Sequence, residues 1–271
     1  MTEARLAFFP PGLGRKAALE AGFRFGHVGT HTSRTIMVED LEATLAAVPT
    51  SAKPAEYATA IVDDNCLGKQ TSATRRHSLQ HLRELYALDP ALPVFRILRR
   101  LWEMDAPGRP LLAILAGLTR DPLLMATAQP IIAMAKDSEF NRAALRAALE
   151  KFTGERLNES TLDKVVRNAA SSWSQSGHLE GRTFKFRRIV QPTPPTVAFA
   201  LYVATTAGFQ GEDALSSGWL KVLDCDTSLA MEMATAAKRM GLLDLKMAGG
   251  IFELSVERLD PYASTDGRGR Q

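Results

Sequence analysis

Cysteine is scarce in this chain: two residues among 271, Cys66 and Cys225. Neither belongs to a CxxC pair or stands beside a histidine at ligand spacing. That excludes a zinc site built on cysteine and a disulfide framework, and leaves two reduced, at least partly buried thiols as the expectation. Long hydrophobic runs are also lacking. The apolar stretches at 110–118 and 122–135 are separated by Arg120 and Asp121, and each is too short to cross a bilayer. They read as buried core helices. The apolar patch at 6–9 is cut by Pro10 and Pro11, without the basic start, long apolar middle and small-residue cleavage site of a secretion signal. A cytoplasmic location with no membrane contact is the expectation.

The usual catalytic signatures are missing as well. No glycine-rich loop ends in Lys-Ser/Thr, and there is no GxSxG elbow and no HExxH. Asp63 and Asp64 are adjacent, so on a helix they diverge and make a poor carboxylate pair. The five histidines fall in the N-terminal region (His27, His31), on a basic helix (His77, His81) and at a turn (His178). Two histidines four apart without further ligands do not make a metal site. The first four are expected at the surface, and no cofactor, no metal and no enzyme activity are expected.

What is present is a composition able to build a core, with 45% hydrophobic residues against 23% charged. The net charge of +3 decides little, but its distribution is uneven. Residues 67–109 carry eight basic and four acidic side chains, and 136–190 carry eleven and seven, while 1–66 and 191–271 are mildly acidic. Two basic blocks between acidic ends suit an anionic partner.

Periodicity divides the chain as follows. Residues 1–34 read as an irregular arm punctuated by glycine. Apolar positions at helical spacing predict helices over about 33–48, 54–64, 72–88 and 93–102, two more within 110–135, and one over 138–152. In the helix at 93–102, Phe95, Leu98, Leu101 and Trp102 face inward, with Arg96, Arg99 and Arg100 on or beside the opposite face. Asn158 opens a helix to about Ser174, with Leu162, Val165, Val166, Ala169 and Trp173 inward. Gly177 stops it, and 183–187 alternates with period two. Beyond it, helices are expected over 195–207, 212–223 and 226–240. A hairpin follows around Ala248-Gly249-Gly250, carrying Leu243, Leu245, Phe252, Leu254 and Val256.

The segments 160–186 and 227–254 thus share an outline of helix, glycine stop and β element, the outline of a winged helix-turn-helix. The fold class expected is mainly α: a helical bundle with winged-helix-like elements carrying short β-hairpins. The proline-rich stretch 191–195 is the best domain boundary. It separates a bundle over 35–191 from a winged-helix-like unit over 195–258, with a mobile tail over 259–271.

The basic side chains carry the functional signal. Lys164 and Arg167 lie on the 158–174 helix away from its apolar stripe, placed to reach phosphates or base edges. Arg182, Lys185, Arg187 and Arg188 decorate the strand beside it, as a wing would. Lys69, Arg75 and Arg76 cluster at a helix start, where they oppose the helix dipole and favour an external anion.

The run Asp63-Asp64-Asn65-Cys66-Leu67-Gly68-Lys69-Gln70-Thr71-Ser72-Ala73-Thr74-Arg75-Arg76 resembles the DDNLL–K–S–T–R stretch of the BrxA-like proteins of bacteriophage-exclusion (BREX) defence systems. Ser160-Thr161-Leu162-Asp163-Lys164-Val165-Val166 is similar to their Ser/Thr-Leu-x-Lys helix before a β element. The resemblance spans about 35–190. It implies a mainly helical, NusB-like bundle with a small helix-turn-helix-like element, and double-stranded DNA binding as an accessory to phage defence. The segment 195–258 departs from that pattern; being acidic on balance, it is expected to pack on the rest of the chain or on a partner protein. The reading is therefore a DNA-binding protein making mostly non-specific phosphate contacts. A protein–protein scaffold for other defence-system proteins, or an RNA-binding protein, are the alternatives.

Overall fold

Two helices are apolar nearly all round, and both lie at the centre of the molecule, where such helices must go. In the computed structural model, which describes residues 6–12, 15–248 and 251–260, they are α6 (Arg109–Arg120), buried from Leu111 onward, and α11 (Pro194–Thr206), buried over 195–204. Around them stand α4 (Ser72–Tyr86), α5 (Pro93–Met104), α7 (Pro122–Ala126) and α14 (Thr227–Arg239). The remaining helices are α1 (Lys16–Ala21), α2 (Val38–Ala47), α3 (Pro54–Val62), α8 (Ala128–Ile132), α9 (Arg142–Thr153), α10 (Glu159–Gln175), α12 (Glu212–Ser216) and α13 (Gly218–Lys221). Two antiparallel pairs complete the fold. β1 (Leu179–Glu180) pairs with β2 (Phe186–Arg187), and β3 (Asp244–Ala248) pairs with β4 (Ile251–Ser255) in the register Leu245↔Leu254 and Met247↔Phe252. The protein is mainly helical with short hairpins, as the periodicity predicts. The turn at Gly249-Gly250 and the tail beyond 260 lie outside the described residues. Among the described residues, no helix is long and apolar enough to cross a membrane.

The N-terminal segment differs from the expected irregular arm. It forms α1 and a single 3-10 turn, Thr30–Thr32, and buries Phe23 and His31. Its aromatic residues surround Trp219: Phe8 meets that ring edge-on at 5.0 Å, Phe23 at 6.0 Å, and the indole N–H donates to the Phe8 carbonyl at 2.8 Å. The same contact explains why the helix expected over 212–223 is broken in two. The Gly218 N–H donates to the Ala7 carbonyl at 2.7 Å instead of continuing a helical ladder, and Ser217 is extended. Glycine is needed there, because a Cβ would sit 2.8 Å from that carbonyl oxygen.

The proline-rich stretch also meets a different role from the expected boundary. Pro194 and Pro195 open α11, where a missing N–H costs nothing, and Thr193 caps it by accepting from the Thr196 N–H. α11 then packs on α5 and α6 as well as on α13 and α14, so buried residues from Ala18 to Leu259 form one cluster. Residues 195–258 share the core of the bundle because an apolar helix at its centre leaves them none of their own.

Arg99, expected on or beside the outer face of its helix, is buried, and so is Arg120. Arg99 of α5 is 5% exposed and ion-pairs with Glu103, while donating to the Val48 carbonyl at 2.9 Å. Arg120 ends α6 by donating to the Arg83, Glu84 and Gly22 carbonyls. These lie in the last turn of α4 and just past α1, so one guanidinium serves the negative ends of two helices.

Candidate nucleic-acid interface

The candidate site is built on α9, the turn after it, and α10. Asn141 caps α9 by accepting from the Ala143 and Ala144 N–H groups. Gly154 (φ 58°) ends it, and Asn158 caps α10 by accepting from the Thr161 N–H at 2.9 Å. α10 buries Leu162, Val165, Val166, Ala169 and Trp173, and that choice of face leaves Lys164 and Arg167 outside. Arg146 of α9 holds the two helices together by pairing with Glu150, Glu159 and Asp163, and Arg142 reaches Asp163 at 3.3 Å. These carboxylates are thereby neutralised by cations of the fold itself.

The hairpin lies beside α10. Its second strand is also held on its far side by residues 137–140: Phe140 N–H donates to the Lys185 carbonyl at 2.7 Å, and Arg187 N–H to the Ser138 carbonyl at 2.9 Å. The Lys185 ammonium ties the turn to α10, donating to Ser174 Oγ at 2.8 Å and to the Gly181 carbonyl at 3.2 Å. Helix and turn enclose a shallow groove of about 260 Å³ lined by Arg142, Arg167, Phe140, Phe184, Lys185 and one carboxylate, Glu139.

The period-two pattern of 183–187 is realised with its faces reversed. Phe184 (64% exposed) and Phe186 point outward, while Arg187 is fully buried. Arg187 ion-pairs with Asp224, and donates to the Ile131 carbonyl at 3.1 Å and to the Arg188 carbonyl. It is therefore no phosphate ligand, which corrects its assignment to the binding set. An arginine this deep is tolerated because carboxylate and carbonyls meet its donors. Arg188 is half-exposed and paired with Glu180 and Asp137, which hold its pKa above the ordinary arginine value.

Lys164, Arg167 and Arg182 are exposed and form no ion pair among the described residues. The other basic set does not form one patch. Lys69 pairs with Asp40 at 2.8 Å in a groove shared with Arg34 and Gln175. Arg76 faces a different groove with Arg24, Arg83 and Glu84, and Arg75 is half-buried. Asn65 takes a left-handed conformation (φ 54°), and its side chain accepts from the Lys69 N–H, which shapes the loop leading into α4.

His31, expected at the surface, and His178, expected at a turn, are both fully buried. His31 Nδ1 lies 2.8 Å from Asp121 Oδ2, and its Nε2 lies 2.7 Å from Ser172 Oγ. The connectivity is that of a hydrolytic triad, but all three side chains are sealed from solvent. Ser172 Oγ is also occupied, accepting from the Ile36 N–H and donating to the Asn168 carbonyl. Asp121 likewise accepts from the N–H groups of His31, Leu123 and Leu124. Burial alone would raise its pKa, yet the neighbouring His31 ring and these donors hold it below the ordinary carboxylate value. The arrangement is a polar strut fixing α10 to the α6–α7 junction. His178 is packed edge-on against Trp173 and hydrogen-bonded to the Val222 carbonyl at 2.7 Å; burial pushes its pKa down to about 4.

Both cysteines are free, Cys225 buried and Cys66 half-buried. Among the described residues, no group of three or more histidine, cysteine or acidic side chains is placed to hold a metal ion. The chain matches no protein-family model and no curated protein.

Proposed function

We propose that this chain is a double-stranded-DNA-binding accessory protein that grips the phosphate backbone through α10 and the β1–β2 hairpin. On the resemblance carried by residues 63–76 and 160–166, we place it in a BREX-type phage-defence system. The observation that carries the reading is the contrast in pairing on this face. Arg142, Arg146 and Arg188 are each met by carboxylates, whereas Lys164, Arg167 and Arg182 have no ion-pair partner among the described residues. Unpaired cations on one side of a helix, with a hairpin alongside, suit a helix at a duplex groove and a wing on the neighbouring phosphates; the docking mode is an analogy of fold. Contacts from lysine and arginine to phosphate give affinity with little sequence preference.

Three such contacts imply a slope of about −3 for log affinity against log salt, so doubling the salt weakens binding roughly six-fold or more. The test is fluorescence anisotropy of a labelled duplex at two salt concentrations. It is run on the native chain and on a triple variant, Lys164→Glu, Arg167→Glu, Arg182→Glu. The variant is expected to melt like the native protein and to bind at least tenfold more weakly. Equal affinity for the two proteins would sink the proposal, and stronger competition by structured RNA than by duplex DNA would redirect it to RNA. A scaffold role has one observation in its favour, the exposure of Ile189 and Met240. Partner binding through them would be insensitive to salt.

A further inference from the structure

Among the described residues, Phe184 is the most exposed phenylalanine, tyrosine or tryptophan, and nothing in the packing of the fold requires its ring. Its position is nonetheless fixed. Gly181 (φ +119°) closes the turn so tightly that a Cβ there would collide with the Phe184 carbonyl. Lys185 ties the turn to Ser174 of α10, and the Lys185 carbonyl accepts from the Phe140 N–H. The ring is therefore held ready beside α10 and does not hang from a long loop. Its surroundings are cationic: Arg182 two residues before, Lys185 one after, and Arg142 and Arg167 across the groove, against the single carboxylate of Glu139. A ring set among guanidinium and ammonium groups suits a flat, apolar surface carried on an anionic chain, which describes a nucleobase on its phosphate backbone. Arg142 has a counter-charge in Asp163, but an apolar protein surface would leave Arg167, Arg182 and Lys185 without one.

We infer that Phe184 stacks on an unpaired base, so that the face formed by α10 and the hairpin prefers duplex DNA containing an extrahelical nucleotide over perfectly paired duplex. Inserting an aromatic or aliphatic side chain at a base step is a known way to hold distorted DNA, and a mismatched or bulged base costs least to unstack. The inference rests on the DNA-binding reading above and adds to it a class of substrate.

The experiment compares two labelled duplexes of one sequence, the second with a single bulged 2-aminopurine. Affinity is read by anisotropy, and the surroundings of the bulged base by its emission. The native protein is expected to bind the bulged duplex about five-fold or more tightly, the lower end of what one stacked base contributes, with a change in emission on binding. Phe184→Ala and Phe184→Leu are expected to bind both duplexes alike, at the native affinity for paired DNA. Phe184→Trp is expected to keep the preference. Equal binding of the two duplexes by the native protein would overturn the stacking inference and leave DNA binding standing. Retention of the preference in Phe184→Leu would also overturn it, since leucine is apolar but has no ring. Failure to bind either duplex at low salt would instead remove the DNA reading itself.

Discussion

Arg182 and Arg187 both decorate the same hairpin, and replacing each with alanine should have opposite consequences. Arg187→Ala removes a fully buried guanidinium whose partners are Asp224 and the Ile131 and Arg188 carbonyls. Asp224, itself nearly buried, keeps only the Val190 N–H at 2.9 Å. Breaking a buried ion pair from one side costs about 3–5 kcal/mol; the Arg188 carbonyl also loses its donor, whereas the Ile131 carbonyl keeps the Met134 N–H at 3.2 Å. With about 4 kcal/mol lost, and about 2–4 °C per kcal/mol for a chain of this size, the melting temperature should fall by roughly 8–16 °C. Circular dichroism at 222 nm during a thermal ramp reads this directly. Arg187→Met combined with Asp224→Asn should recover part of the loss, because asparagine tolerates the left-handed backbone of position 224 (φ 55°), still accepts from the Val190 N–H and leaves no unpaired buried charge. Arg182→Ala should melt with the native protein and lose only affinity for DNA. A fall below about 2 °C for Arg187→Ala would refute the buried pair as a source of stability. A native melting temperature together with lost DNA binding would show that Arg187 reaches the ligand after all.

Three further outcomes follow from buried polar groups. His178 is held neutral in the folded chain, its pKa pushed down by burial to about 4 from an ordinary 6.5. The unfolded chain binds its proton first, so this contribution is intact above pH 6.5 and is lost as pH falls toward 4. The total is about 3 kcal/mol; urea midpoints measured across that range should show the loss, and His178→Gln should flatten it. Arg120→Leu should cost about 3 kcal/mol in a urea titration, because it uncaps the ends of two helices. Arg120→Lys should recover only part, since one ammonium cannot span the three carbonyls. Ser172→Ala should cost about 2 kcal/mol by leaving the Ile36 N–H and the His31 ring nitrogen without their partner; unchanged stability would dismiss the strut.

Much of the helical framework is legible in the sequence because helix signals are local. The 3.6-residue spacing of Leu79, Leu82 and Leu85 appears as the buried face of α4, and Asn158 and Asp226 start α10 and α14 as side-chain caps. The free cations Lys164 and Arg167 follow from the same periodicity, which fixes the outer side of α10 once its inner side is known. That residues 183–187 alternate is also written in the sequence, but alternation is symmetrical: it says that two faces differ, not which one is buried. That choice was made by Asp224, far along the chain, which draws Arg187 inward and turns Phe184 out. His31 likewise has nothing nearby to mark it as a core residue. Its partners Asp121 and Ser172 arrive from 90 and 141 positions away, and the break before α13 is made by a carbonyl near the other end of the chain. Local spacing thus determined which segments are helices and where their charges point. Long-range pairing of buried polar groups, visible only once the chain is folded, decided which arginine is structural, which histidines are sealed and which aromatic ring faces solvent.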